Sequence, residues 1–269
     1  MDTRINKYSK QLIIINSIFI LFWLTISIFP FIWTLWGSFK VKADFFSRAE
    51  WTYALSGFNT LIETGATTTV KAYIESWTEG EFWRASMNTM IVTVSVVSIS
   101  LFLGTLGAYA LSRSTYKYTF YILIAALIFR AMPHITLVSG YLFPFFQLNI
   151  WGILPTTIIV LVAINQPFTL WLLYSFFKTV PKELDESALI DGCSYFQAFR
   201  YIIMPVMWPG VVTAGLFSMM LAYNDFTVTA LLLNQENYTM VPKINAYLGT
   251  VEYGGNYITK CLEVRATVN

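Results

Sequence analysis

The sequence predicts an all-α, polytopic membrane protein with about five transmembrane helices, organised as a single transmembrane domain over residues 1–269. Three observations predict it. The chain is 56% hydrophobic and only 12% charged, where a soluble domain carries about 25% charged residues. Its Leu, Ile, Phe and Trp come in runs that reach the roughly 20 apolar residues a bilayer crossing needs. The basic residues of its short links gather before the first run, between the second and third, and between the fourth and fifth, the alternation expected of a multi-pass protein.

The same composition excludes other classes. The net charge is +2, and no basic stripe is present, so nucleic acid is not an expected partner. Cys193 and Cys261 have neither metal nor redox spacing. One histidine and two separated cysteines make no metal centre and no catalytic cluster, so neither an enzyme nor a bound cofactor is expected. A secondary transporter would need inverted repeats with broken helices at the midplane, and no such repeat is found.

The opening MDTRINKYSKQ is basic and precedes an apolar run at residues 12–36. That run is too long for a signal-peptide core and has no small-residue cleavage site after it, so it reads as a retained first span. An outer loop at residues 40–85 follows. Trp51, Tyr53, Trp77, Phe82 and Trp83 stand there among glutamates, either as an interfacial aromatic belt or as a docking surface. Further spans are expected at residues 86–111, 118–143, 154–177 and 206–233, the third kinked at Pro133. Placing Arg113, Lys117, Lys178, Lys182 and Arg200 on the cytoplasmic side puts the N-terminus inside. The two cysteines then lie on opposite sides of the membrane.

Residues 181–209 form the polar link before the last span. Pro181 can open a short helix, because its missing N–H is no loss at a first turn. Glu183, Asp185 and Glu186 complement that helix's dipole. Gly192 can end it in the left-handed conformation. Ser194 and Gln197 then make a capping-box pattern for a second helix. Phe196, Phe199 and Ile203 give this second helix an apolar side, and Pro205 and Pro209 mark the entry to the fifth span. Such an elbow buries its apolar face either in lipid headgroups or in a cytoplasmic protein, and the residues alone leave both open.

Within the spans, Arg130 is costly to bury and wants a partner. Asp225 is the expected one. Asn224, Asn165 and Gln166 either line a polar path or hydrogen-bond between helices. The lone His134 is assigned no role.

The elbow resembles the coupling loop, or EAA motif, of ABC importer permeases. Glu186-Ser187-Ala188, three residues, Gly192, nine residues and Ile202-Ile203-Met204-Pro205 follow its pattern, with Asp191 before the glycine. Ser187 and Met204 depart from the usual alanine and leucine. NTMIVTVSVVSISLFLGTLGAYALSR, FRAMPHITLVSGYLF and AYNDF resemble segments of the maltose and glycerol-phosphate type within that family.

The resemblance implies a transmembrane subunit that imports a sugar or sugar derivative and does no chemistry. Polyamine or phosphate-ester import is the alternative inside the family. The implied partners are a second permease, two ATPase subunits that bind ATP and Mg, an extracytoplasmic solute-binding protein, and membrane lipid. The implied location is a bacterial or archaeal inner membrane. Glu186, Ser187, Ala188, Asp191, Gly192, Phe196, Phe199 and Pro205 would dock the ATPase. Arg130, Asn165, Gln166, Asn224 and Asp225 would lie along the translocation path. The resembled family usually has a sixth span. The closing NYITKCLEVRATVN is too short and charged to be one, so either a truncated chain or a five-span form is expected.

Overall fold

Apolar runs in lipid become helices because an unpaired backbone N–H or C=O finds no water there. The computed structural model describes residues 2–38, 73–74, 76–78 and 80–252. Among them the regular structure is helical, joined by short turns, with an isolated bridge between Gly152 and Leu233. The outer loop lies mostly outside the described residues, as do Cys261 and the closing segment.

Two compact units divide the chain after Gly80. The first contains α1 (Asp2–Ser38), whose Leu12–Leu35 portion is apolar enough to cross a membrane. Phe19 and Trp23 meet edge to face on it, with centroids 6.3 Å apart.

The second unit is built on α2 (Phe82–Arg113), which packs along α5 (Leu154–Thr179). Small and polar residues on α2 make this close approach feasible: Thr89, Thr93, Ser100, Gly104, Thr105 and Ala108 are buried. A Cβ on Gly104 would sit 3.1 Å from both Leu173 and Thr169. Helices without a hydrophobic drive between them associate through such small-residue faces. α8 (Met204–Tyr223) runs back against both. Phe82 and Trp83, expected in the outer loop, are the first turn of α2.

The expected third span is not one kinked helix. α3 (Tyr118–Ala131) and α4 (His134–Gln147) meet at 87°. At about 1.5 Å per residue neither reaches the roughly 30 Å of a hydrocarbon core. Pro133 is the cause: it pushes the preceding residue out of the helical region, and Met132 is extended at φ −69°, ψ 141°. Counting this bent pair as one crossing gives five candidate spans among the described residues, and four without it.

The expected fifth span, 206–233, also differs. The helix stops at Tyr223, and a separate α9 (Thr227–Leu232) follows. Its beginning lies earlier than expected as well. After the elbow helices α6 (Glu183–Ile190) and α7 (Tyr195–Ala198), a π turn at Phe199–Ile203 leads into α8 with no break. Tyr195–Tyr223 is therefore one apolar helical stretch of 29 residues. The wider turn, with Met204 N–H bonded to Phe199 O, explains why Pro205 does not interrupt it: the ladder shifts register just where proline has no N–H to give.

A last helix not expected from the sequence, α10 (Met240–Glu252), packs on α2. Thr89 Oγ1 accepts from Met240 N–H at 2.8 Å, and Asn88 donates to Tyr238 O at 3.3 Å.

Two apolar clusters fill this unit. One gathers Val92, Val96, Val138, Leu161, Val228 and Leu232 at the end nearer α9. The other gathers Ala108, Leu173, Phe177, Phe199, Ile203 and Met207 beneath the elbow.

Candidate functional site: a surface elbow and a polar cavity

The elbow folds as its residues dictate. Gly192 takes φ +88°, and its N–H donates to Leu189 O at 3.1 Å while Cys193 N–H donates to Ala188 O at 3.0 Å. These two bonds are the Schellman pattern that closes a helix on a left-handed residue. Ser194 Oγ accepts from Gln197 N–H, and Gln197 Oε1 accepts from Ser194 N–H. The capping box starts α7 at once, so the turn between the limbs is four residues long.

The expected docking residues divide by exposure. Glu186, Ser187, Asp191, Gly192, Phe196 and Pro205 are exposed. Ala188 and Phe199 are not: they are 1% and 9% exposed. Phe199 does not share a face with Phe196. Its ring lies 4.8 Å from that of Tyr109, inside the apolar cluster. The apolar surface of the elbow is instead Ile190, Tyr195, Phe196 and Tyr201. The π turn accounts for the difference, because it rotates the chain between positions 196 and 203 away from a regular helical register.

Beneath the elbow lies a set of contacts that sequence reasoning missed. Arg113 Nε sits 2.7 Å from Asp185 Oδ2. Tyr109 donates its hydroxyl to Asp185 Oδ1 at 2.6 Å. Arg113 Nη1 donates to Phe177 O at 3.3 Å and to Val180 O at 3.1 Å. One guanidinium thus ties the ends of α2 and α5 to α6. The sequence groups Asp185 with Glu183 and Glu186 as a dipole complement, yet those two are exposed and it is buried. The available signal was the position of Arg113 at the end of an apolar helix that also carries Tyr109 one turn earlier.

The second site is a cavity of about 400 Å³ lined by Arg130, His134, Asn165, Asn224 and Asp225 among apolar neighbours. The sequence-derived residues do come together there, but not by the expected ion pair. Arg130 Nη1 donates to His134 Nε2 at 2.9 Å. Asp225 Oδ1 accepts from Val228 N–H at 2.9 Å and Thr229 N–H at 3.2 Å. Breaking the helix at Tyr223 freed these N–H groups at the start of α9, and a carboxylate is a strong acceptor for them. Arg130 and His134 stand on either side of the break at Pro133, and their bond joins the end of α3 to the start of α4.

Asn165 is 3% exposed and its Nδ2 has no hydrogen-bond partner. Gln166 does not line this cavity. It faces an adjoining groove with Phe129, Tyr141 and Pro167. Among the described residues, no group of His, Cys, Asp and Glu is placed to hold a metal ion.

Residues 100–258 match the family described as binding-protein-dependent transport system inner membrane component. The chain is 28% identical over 255 residues to the diacetylchitobiose uptake system permease protein NgcG of Streptomyces coelicolor, covering 90% of this chain and 77% of that protein. It is 31% identical to the trehalose/maltose transport system permease protein MalG of Thermococcus litoralis, covering 81% and 74%. Among solved structures, a chain of a bacterial ABC transporter involved in the import of the acidic polysaccharide alginate superposes with a TM-score of 0.66 at 18% identity, over 88% of this chain and 79% of that one. That likeness shows the fold.

Proposed function

The chain belongs to the inner membrane components of binding-protein-dependent transport systems, and from that membership we propose that it is the permease subunit of an ATP-driven importer of a sugar or sugar derivative. It is a transport component, not an enzyme. The observation that carries the reading is the elbow: the Glu186-Ser187-Ala188…Gly192…Pro205 spacing folds into two helical limbs that present Ile190, Tyr195, Phe196 and Tyr201 to the surroundings. An apolar surface of this kind, rimmed by Glu186 and Asp191, suits a groove on a partner protein.

In this reading the elbow docks on an ATPase subunit that binds ATP and Mg, and the N-terminus is cytoplasmic. A second permease, a second ATPase and an extracytoplasmic binding protein complete the importer. The sugar assignment is supported by the names of the relatives, NgcG and MalG. Arg130, His134, Asn165, Asn224 and Asp225 supply a hydroxyl-rich solute with donors and acceptors along its path, and Gln166 extends that path toward the adjoining groove.

The test is co-purification. Phe196→Asp and Glu186→Lys should leave the permease in the membrane and lower the amount of ATPase that co-purifies with it. Undiminished ATPase with both variants would remove the docking assignment. Orientation has its own test: labelling of Gln197→Cys by an impermeant reagent from outside intact cells would reverse it.

A further inference from the structure

We propose that Tyr109, Arg113 and Asp185 form the link that passes movement of the elbow to α2 and α5, with Asp185 as the positioning residue at its centre. This rests on the reading of the elbow as the ATPase-docking piece.

The two limbs of the elbow are attached differently. The second is continuous with α8 through the π turn, so any tilt of it is carried by the backbone itself. The first limb, α6, has eight residues between the Val180–Lys182 segment and the left-handed Gly192. Apart from its packing on the neighbouring limb and its backbone link to α5, its polar hold on the bundle is Asp185. Its buried residues are Asp185 and Ala188, and Ala188 is too short to reach far.

Asp185 accepts from Tyr109 on α2 and pairs with Arg113 on α2. Arg113 in turn holds the carbonyls of Phe177 at the end of α5 and of Val180 just past it. Apolar contacts tolerate sliding, whereas a buried pair with short, directional bonds fixes a register. A force on α6 therefore reaches α2 through Asp185, and α5 through Arg113 as well as through the backbone of residues 180–182. α5 carries Asn165 on the cavity.

The experiment uses the assembled transporter, co-expressed with its second permease and ATPase, and reads ATP hydrolysis with and without the cognate binding protein. Tyr109→Phe removes only the hydroxyl and leaves the ring on Phe177 and Phe199. Tyr109→Phe and Asp185→Asn should each keep the ATPase bound while stimulation by the binding protein falls on the order of tenfold, inside the usual range for coupled sites. Asp185→Glu should restore part of it, which a purely structural loss would not predict.

Stimulation within about twofold of the parent in Tyr109→Phe, with the ATPase still bound, overturns the proposal, since that change is too small for a coupling free energy. Tyr109→Phe decides alone should Asp185→Asn fail to accumulate. Phe196→Asp separates the two readings. Weakened docking in Phe196→Asp beside normal stimulation in the Tyr109 and Asp185 variants removes only the link. Unchanged docking in both Phe196→Asp and Glu186→Lys removes the coupling reading beneath it.

Discussion

The elbow end and the cavity end of the second unit bury charge in opposite ways. Beneath the elbow, Arg113 and Asp185 are joined to each other and to two further elements. In the cavity, Arg130 and Asp225 line the same space yet do not meet: Arg130 bonds His134 across the break at Pro133, and Asp225 bonds the N–H groups of α9. The first arrangement locks elements together. The second leaves Asn165 Nδ2 without a partner and free for a third party.

The largest test of this contrast is Arg113→Met. It leaves Asp185 buried without a cation and frees the carbonyls of Phe177 and Val180. Loss of one partner of a buried pair costs about 3–5 kcal/mol, so the assembled protein should largely disappear from a melting-temperature assay. Arg130→Met should cost clearly less, because the polar cavity can admit water. Equal losses would dissolve the contrast.

Next is Gly192→Val. No atom lies within 4 Å of where its Cβ would go, so the expected cost of about 1–3 kcal/mol is backbone strain alone. Gly192→Asn, which tolerates the left-handed region, should recover most of the ATPase that co-purifies.

A double-mutant cycle sharpens the cavity side. Arg130→Met and Asp225→Asn should add to within about 0.5 kcal/mol in stability, since no bond joins them. Arg130→Met and His134→Ala should not be additive. The smallest effect is Asn165→Leu. With Nδ2 unpaired, its removal should change the melting temperature little while lowering transport.

The helices were legible because apolar length and proline position act locally. So was the elbow, where Gly192, Ser194 and Gln197 make bonds to residues within five positions of themselves. What the sequence hid was the outcome of competition. Asp225 had a cation within the same cavity, but the break after Tyr223 offered it two backbone donors closer still. Phe199 fitted an apolar stripe with Phe196 until the π turn rotated it inward. Tyr109 and Asp185, 76 positions apart, carry no signal of their meeting in a single chain. Their bond depends on how α2 and α5 pack, which small residues such as Gly104 permit without announcing a partner. The break at Met132 was foreseen only as a kink, because a proline gives the place of a bend and not its angle.

The unbroken stretch Tyr195–Tyr223 also acts as a ruler. Its 29 residues measure about 43 Å at 1.5 Å per residue, against roughly 30 Å of hydrocarbon. A surplus of about 13 Å is taken up by tilting within the layer or by standing clear of it. Tyr195 and Phe196 are at one tip of this rod. Bilayer thickness is therefore a variable for them: in thinner membranes the rod must tilt more or carry the two rings further out, and in thicker ones less.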